Sequence, residues 1–354
     1  MEDDIRINQD MPFALSRRKA VNVCPHDLVA TDYFDAARKL PLVIRARGAD
    51  TDPIGWVKAN SPFIASELLR HGAILFRGFP VTRAQQFRHL VDALSGGAVP
   101  YDERSSPRTE VMENIYTSTD YPSEQSILPH NEHSYAITFP RKLYFWCEVA
   151  APQGGETPLG DTRKIFAGIR GSVVNKFLDK GWMYVRNFTS HFGLTWQTAF
   201  QTGDRAEVED YCRKAAIEWE WTREGLRTRQ VRPAVARHPE TGELLWFNHA
   251  TFFHISSVEP NLRAALLAEY EERDLPNNTY YGDGTPIEEW VADHLRQAYE
   301  DAMVSFRWEP GDVILIDNML TAHARASFVG PRRILCAMAE SHTRTDLSGM
   351  LDKV

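Results

Sequence analysis

The chain has 354 residues, 43% of them hydrophobic and 25% charged, which is typical of a globular protein with one large domain or two ordinary ones. Its net charge of −8 argues against a nucleic-acid partner, because neutralising phosphates needs a basic surface. No apolar run approaches the roughly 18 residues of a membrane span, and the start "MEDDIRINQD" is unlike a signal peptide. We therefore expect a cytoplasmic protein with no membrane partner.

In the first half of the chain, the residue pattern predicts helices that alternate with strands. Residues 60–72 form a predicted helix, with Ser61 as its N-cap, Pro62 at its first position and Gly72 at its end. A short strand over 73–79 and a second helix over 82–97 follow. From about residue 100 the pattern favours strands, because residues 141–150 are rich in β-forming types, and a loop follows at 151–157.

The second half begins with helices and ends with strands. The predicted elements are helices over 161–181 and 204–221, a hairpin over 232–253, helices over 261–273 and 286–303, and strands over 312–318 and 332–340. His323 lies on the loop between the last two strands. No repeat, low-complexity tract or Gly/Ser linker divides the chain, so we expect one domain over residues 1–354.

Two segments carry the pattern His-x-Glu, which could supply neighbouring metal ligands. With 12 histidines and 48 acidic residues among 354, chance alone supplies His-x-Asp/Glu about 1.6 times. The two cases are His130-Asn131-Glu132 and His238-Pro239-Glu240. The second lies on the turn of the predicted hairpin, where polar residues are expected, and we do not predict a metal there. The four cysteines form no Cys-x-x-Cys pair, so a zinc ribbon is not expected either.

His130 and Glu132 are candidate metal ligands because side chains in an extended segment alternate with period two. They would point the same way, with Asn131 opposite. A third ligand from a distant strand would complete the 2-His-1-carboxylate arrangement of non-haem Fe(II) oxygenases. His323 is the natural third ligand, because a buried-looking strand precedes it and another follows.

Arg333 lies ten residues after His323, at the start of an apolar strand. A charge in that position needs a partner, and the far carboxylate of a dicarboxylate cosubstrate would suit a bidentate guanidinium. Its neighbour Arg332 should face the opposite way, so one of the two should be exposed to solvent.

Six motifs together resemble the TauD/TfdA family of Fe(II)/2-oxoglutarate dioxygenases. The resemblance runs from about Ala73 to Glu340 and is closest to a branch of natural-product hydroxylases typified by the syringomycin hydroxylase SyrP. The motifs are "YTSTDYP", "LPHNEHSYA", "APQGGETPLGDTR", "RPAVARHPETGELLWFNH", "NNTYYGDGTPI" and "GDVILIDNMLTAHARASFVGPRRILCAM".

The resemblance implies a fold and a set of site residues. The fold is α+β with a mainly β core: a double-stranded β-helix, or jelly roll, with flanking helices and an insert at about residues 162–308 that forms a lid and covering helices. His130, Glu132 and His323 correspond to the iron ligands. Thr157 and Arg333 correspond to the residues that bind the 2-oxoglutarate carboxylate.

Two departures from the family narrow the expected chemistry. Ala337 stands where taurine dioxygenase has a second arginine for the sulfonate, so a sulfonate substrate is not expected. Related halogenases lack the carboxylate ligand, whereas Glu132 is present, so halogenation is disfavoured. Asn131 and His133 flank the ligands and are candidates for substrate contact, although His133 could equally lie at the surface. Other polar candidates are Arg104, Arg163, Arg186 and His191.

The implied reaction couples oxidative decarboxylation of 2-oxoglutarate, with Fe(II) and O2, to oxidation of an unactivated C–H bond. Hydroxylation of an amino acid or an amino-acid-derived small molecule is expected, with the substrate free or presented by a carrier protein. Desaturation and oxidative cyclisation use the same cofactors and stay open. A zinc-dependent cupin-like hydrolase or a non-catalytic 2-oxoglutarate sensor could also keep the three ligands, but a hydrolase gives no reason for Thr157 or Arg333.

Overall fold

The structure is a computed structural model that describes residues 28–101, 103, 105, 108–190 and 193–344. These residues form nine α-helices: α1 (Pro53–Ala59), α2 (Ser61–His71), α3 (Ala84–Ser95), α4 (Thr162–Gly168), α5 (Gly171–Lys180), α6 (Trp196–Phe200), α7 (Arg205–Lys214), α8 (Pro260–Glu269) and α9 (Glu289–Ala302). None of the helices in these ranges is long and apolar enough to cross a membrane.

The same residues form twenty strands. They are β1 (Val29–Tyr33), β2 (Leu42–Ala46), β3 (Ala73–Arg77), β4 (Glu110–Met112), β5 (Ile115–Thr117), β6 (Ile127–His130), β7 (Thr138–Val149), β8 (Gln153–Gly154), β9 (Leu159–Asp161), β10 (Trp182–Thr189), β11 (Glu218–Trp221), β12 (Gly225–Arg232), β13 (Val235–Arg237), β14 (Leu244–Trp246), β15 (Asn277–Tyr281), β16 (Met303–Val304), β17 (Val313–Asp317), β18 (Thr321–Arg325), β19 (Phe328–Val329) and β20 (Arg333–Thr343).

An eight-stranded sheet and a four-stranded sheet enclose the site. The larger sheet has the order β1-β2-β3-β17-β7-β20-β5-β4 and the smaller has the order β16-β9-β18-β6. Strand alternation sends one side of the larger sheet, including Ile314 and Cys336, into a core shared with Leu159 of β9. The other side, including Leu315 and Leu335, packs against α1, α2 and α3. This arrangement is the predicted jelly roll with helices on its outer face.

The helices predicted in the first half are confirmed with small changes at their ends. The helix α2 begins at Ser61, so Asn60 rather than Ser61 is its N-cap. Gly72 ends the helix in the left-handed conformation, with φ of 78°, which a glycine adopts at little energetic cost.

The region between residues 162 and 308 departs from two of the predicted helices. The helix predicted over 161–181 is broken at Ile169 into α4 and α5. The helix predicted over 204–221 ends at Lys214, and Glu218–Trp221 form a strand instead, because two aromatic residues at alternate positions suit a sheet paired with β12. A four-stranded sheet, β11-β12-β10-β15, and five helices (α4, α5, α6, α7 and α8) lie in this region, together with α9.

The hairpin predicted around "PETG" is confirmed as β13 and β14, which pair from Val235 with Trp246 to Arg237 with Leu244. His238 follows β13 and is buried, and its Nε2 lies 3.1 Å from Oδ2 of Asp317, the last residue of β17. The hairpin turn is therefore bonded to the strand that leads toward His323.

Candidate metal and cosubstrate site

Three potential metal ligands meet where β6 and β18 pair. His130 ends β6 and lies directly opposite His323 of β18, and Glu132 follows two residues after His130. One ligand-capable atom from each of these three residues lies within 4.8 Å of the others. Antiparallel pairing therefore joins two short segments that are 193 positions apart in sequence.

The surroundings of both histidines favour the neutral ring, which is the form that binds metals. Nδ1 of His130 lies 2.8 Å from the carbonyl oxygen of Leu128, so this nitrogen donates its proton and leaves the Nε2 lone pair available. Burial lowers the pKa of His130, and burial is also the largest cause that lowers the pKa of His323 well below its ordinary value.

Glu132 is a buried carboxylate with an arginine beside it. Its Oε2 accepts a hydrogen bond of 2.8 Å from Nη2 of Arg108, and both side chains are only 4% exposed. Burial alone raises the pKa of Glu132, but the nearby positive charge, above all that of Arg108, outweighs it and holds the pKa well below the ordinary range. The carboxylate is therefore ionised and can serve as an anionic ligand.

The backbone of Glu132 is held by Asn318, the residue after β17. The Asn318 amide accepts from the Glu132 N–H at 2.8 Å and donates to the Glu132 carbonyl oxygen at 2.8 Å and to that of Pro140 at 2.7 Å. Nothing in the sequence singled out this residue beyond its position at the end of an apolar strand. By holding this backbone, the Asn318 side chain fixes the position from which the Glu132 side chain extends.

Asn131 is not among the residues that line the pocket beside the ligands, so its position does not support the predicted contact with substrate. It is fully buried, and its Nδ2 donates to the carbonyl oxygen of Asn318 at 2.7 Å. The reason is the expected alternation: His130 and Glu132 point one way, and the residue between them points toward the turn after β17.

His133 is buried, so the alternative of a surface position is wrong. Its backbone is in the left-handed region with φ of 54°, and its ring stacks on Tyr101 at a centroid distance of 5.0 Å. Its Nε2 lies 3.7 Å from Oε1 of Glu132. A contact between His133 and substrate stays a prediction.

A pocket opens beside the two histidines. It is lined by Arg108, Ser118, Thr119, Ile127, His130, Phe145, Thr157, His323, Ala324, Arg325 and Arg332. Thr157 is 4% exposed, and its hydroxyl oxygen accepts a hydrogen bond of 3.1 Å from the Trp308 indole N–H. Because Thr157 lines the pocket, its side chain is within reach of a ligand bound there.

Arg332, not Arg333, faces this pocket. Nε of Arg332 donates to the carbonyl oxygen of Gly155 at 2.9 Å, and its Nη1 lies 3.3 Å from the hydroxyl oxygen of Ser118. Arg333 is half-exposed, and its Nε lies 3.0 Å from Oε2 of Glu148. The assignment of the cosubstrate carboxylate to Arg333 is therefore not supported by its position.

The alternation of side chains along β20 explains why Arg332, and not Arg333, faces the pocket. In β20 the even-numbered residues Ile334, Cys336 and Met338 face the interior of the jelly roll, and Arg332 continues that side. The register with β7 also shifts between Arg333 and Ile334. The prediction that one neighbour is exposed was correct, but the sequence does not reveal which one.

Other polar candidates have structural partners. Arg163 lies 3.0 Å from Glu243 and also donates to the carbonyl oxygen of Leu69. Arg186 is buried 3.8 Å from Glu103, with its guanidinium over the Phe188 ring. Arg104 and His191 lie outside the described residues.

Two pocket arginines, Arg108 and Arg325, were not predicted. Arg325 follows His323 by two residues and donates to the carbonyl oxygens of Tyr121, Pro122 and Gln125, so it holds the 121–125 loop against the pocket. Arg108 lies in a stretch without periodicity, and only its contact with Glu132 reveals it.

Comparison with known proteins places the chain in a family. Residues 37–339 match the model of "Taurine catabolism dioxygenase TauD, TfdA family". The chain is 41% identical over 274 residues to the dapdiamide synthesis protein DdaC of Enterobacter agglomerans, covering 77% of this chain and 83% of that protein. It is 29% identical over 296 residues to a clavaminate synthase-like protein of Arabidopsis thaliana, covering 80% and 86%.

The fold also resembles a solved structure, PvcB from Pseudomonas aeruginosa, with a TM-score of 0.51, 15% identity and coverage of 94% of this chain and 95% of that one. A second PvcB structure, with a TM-score of 0.50, 16% identity and coverage of 95% and 98%, is described as an "Fe, alpha-ketoglutarate dependent oxygenase from an isonitrile synthetic pathway". At this identity the likeness supports the jelly-roll fold. Since the family match spans most of the described residues, the chain belongs to the TauD/TfdA family and is a dioxygenase that uses Fe(II), 2-oxoglutarate and O2.

Proposed function

We propose that this dioxygenase hydroxylates an unactivated C–H bond of an amino acid or an amino-acid-derived small molecule, and that His130, Glu132 and His323 hold its iron. The observation that carries the proposal is the grouping of these three ligands beside a pocket that Arg332 also lines. Metal and cosubstrate would then lie within one enclosure.

The donor set suits Fe(II). Two neutral imidazoles and one ionised carboxylate form the three-cornered set that leaves further positions on the metal open. The ring of His130 is oriented by the Leu128 carbonyl oxygen and the backbone of Glu132 is held by Asn318, so outer contacts preorganise these ligands.

Arg332 and Thr157 are the residues we propose for the far carboxylate of 2-oxoglutarate. Arg332 is anchored to Gly155 through Nε, which leaves its terminal nitrogens toward the pocket and Ser118. A guanidinium and a hydroxyl on one wall suit a carboxylate. When bound, the iron and 2-oxoglutarate supply the oxidising chemistry, and the chain's own residues orient the cosubstrate and limit the access of water.

Aromatic rings near the ligands offer an apolar wall for a substrate. Phe252 lies 4.8 Å from the His130 ring and Phe145 lies 5.3 Å from the His323 ring, measured between centroids. Such a wall is suited to holding an aliphatic C–H bond near the metal while excluding water. Ala337 is fully buried in the apolar core, so its position offers no cation for a sulfonate.

The substrate class rests on relatives whose names refer to natural products. DdaC is named for dapdiamide synthesis and PvcB for an isonitrile pathway. We propose by analogy that this chain also acts in secondary metabolism, on a substrate that is free or presented by a carrier protein.

An anaerobic titration tests the cofactor assignment. Fe(II) and 2-oxoglutarate together should give a visible charge-transfer band, and R332M should weaken 2-oxoglutarate binding by about 100-fold, the loss expected when a charged hydrogen-bond pair is removed. R333M is the matched control, because it removes the same charge one residue away, and it should leave the affinity unchanged. A loss with R333M and none with R332M would overturn the assignment.

A second assay addresses the substrate. Succinate release that depends on one member of an amino-acid panel would identify the class, and mass spectrometry of the product separates addition of one oxygen from loss of two hydrogens. A product lacking the added oxygen would replace hydroxylation by desaturation or cyclisation.

A further inference from the structure

Glu132 has one strongly cationic neighbour. Among the described residues, Arg108 is the only arginine or lysine within 4.0 Å of its carboxylate, at 2.8 Å from Oε2. The same Oε2 lies 3.9 Å from Nε2 of His323, on the side where the metal ligands meet. The guanidinium and a metal ion would therefore share one carboxylate.

Arg108 has protein contacts besides the one with Glu132. Its guanidinium lies over the Tyr101 ring at 4.9 Å, and its Nη1 lies 2.8 Å from Sγ of Cys336 on β20. Its Nε is buried and has no hydrogen-bond partner among the residues that the structure describes. Protein contacts on two sides thus hold the charge against Glu132.

We propose that Arg108 is the counter-ion that keeps Glu132 in place before metal binds, and that it competes with the metal for the charge of that carboxylate. The inference rests on the proposed function, in which Glu132 is an iron ligand. A carboxylate that is 3% exposed is costly to bury alone, so the protein needs a positive charge there while the metal is not bound.

Two physical roles for Arg108 predict opposite effects on metal affinity. If it only orients the ligand, its removal should weaken metal binding about 10- to 100-fold, as is usual for outer partners of a metal site. If it is the counter-ion, its removal destabilises the metal-free protein more than the metal-bound protein, because the ion then supplies the missing charge. The guanidinium of Arg108 and the metal ion, both positive, would also repel each other across the carboxylate that they share. Metal binding should then tighten.

Titration of the full chain with Mn(II), without 2-oxoglutarate, separates the two roles. For R108M we expect affinity on the order of tenfold tighter than for the unchanged protein, together with a lower melting temperature without metal and a larger rise when metal is added. R108K, which keeps the charge, should bind metal nearly as the unchanged protein does. Weaker or unchanged Mn(II) binding by R108M would overturn the proposal.

R332M is the matched control, because it removes another pocket arginine, one that is hydrogen-bonded to Gly155 and Ser118 rather than paired with Glu132. An equal gain in Mn(II) affinity in R332M and R108M would mean that the overall positive charge of the pocket, and not Arg108 in particular, opposes metal binding. That result would also overturn the proposal. If R108M does not fold, R108Q carries the same test. Failure of the unchanged protein to bind Mn(II) would count against the proposed function, whereas an R108M result of the wrong sign would count against Arg108 alone.

Discussion

The two His-x-Glu segments share a pattern but lie in different surroundings. Glu132 is buried with Arg108 beside it and two histidines nearby, whereas Glu240 is about half-exposed and pairs with Arg141. His130 leaves its Nε2 lone pair available, whereas Nε2 of His238 is directed at Asp317. The comparison teaches that a His-x-Glu tripeptide becomes a candidate metal site only when other residues, here His323 and Arg108, lie beside it.

The two segments also meet at one turn. His238 contacts Asp317, whose Oδ1 accepts from the N–H groups of Met319 and Leu320. The next residue, Asn318, clamps the backbone of Glu132. The hairpin copy of the pattern therefore supports the turn that positions the other copy.

The largest difference between the segments should appear when the acidic residues are removed. E132A should lower Mn(II) affinity by more than about 100-fold, because it deletes a proposed ligand rather than an outer partner. E240A, the matched change in the other segment, should leave metal affinity unchanged. Isothermal calorimetry measures both, and equal losses would contradict the distinction.

The turn that joins the segments should matter both for stability and for metal binding. N318A removes three hydrogen bonds to buried backbone groups, so we expect a loss of about 2–4 kcal/mol in the free energy of unfolding and roughly tenfold weaker Mn(II) binding. N131A removes only one bond to the same turn and should cost about 1 kcal/mol without changing metal affinity. Urea unfolding and metal titration of the two variants test this, and similar metal losses in both would argue against a specific clamp.

The histidine of the hairpin should affect stability alone. H238A leaves the Asp317 carboxylate, which is 1% exposed, without its 3.1 Å partner, and we expect a loss of about 1–3 kcal/mol. H238Q can still donate to the carboxylate and should recover part of this loss. The variant should bind Mn(II) normally once folded; loss of metal binding in the folded protein would show that His238 does more than support the turn.

The smallest effect belongs to the exposed ion pair of the hairpin. Oε1 of Glu240 lies 2.7 Å from Nη2 of Arg141, but its side chain is 52% exposed. E240Q should therefore change the free energy of unfolding by less than about 1 kcal/mol, and by less still at high salt. Urea unfolding at two salt concentrations measures this, and a larger, salt-independent loss would mean that the pair is more buried than its exposure indicates.

Local patterns predicted much of the fold. The end of α2 at Gly72, the strands β3 and β17 and the hairpin turn follow from residue types within a few positions. The strand at Glu218–Trp221 was missed because a local pattern cannot show that β12 lies beside it. That residues 1–354 form a single domain stays a prediction.

The sequence by itself determined the class of the protein and the shared direction of His130 and Glu132. Each motif, and the alternation of side chains along an extended segment, can be recognised from neighbouring residues alone. The tertiary structure alone decided that Arg332 faces the pocket, that Arg108 meets Glu132 and that Asn318 holds its backbone. Those contacts depend on the register of β20 with β7 and on segments that are 24 to 214 positions apart in the chain. No local pattern encodes such distances, since they result from how the sheets pack.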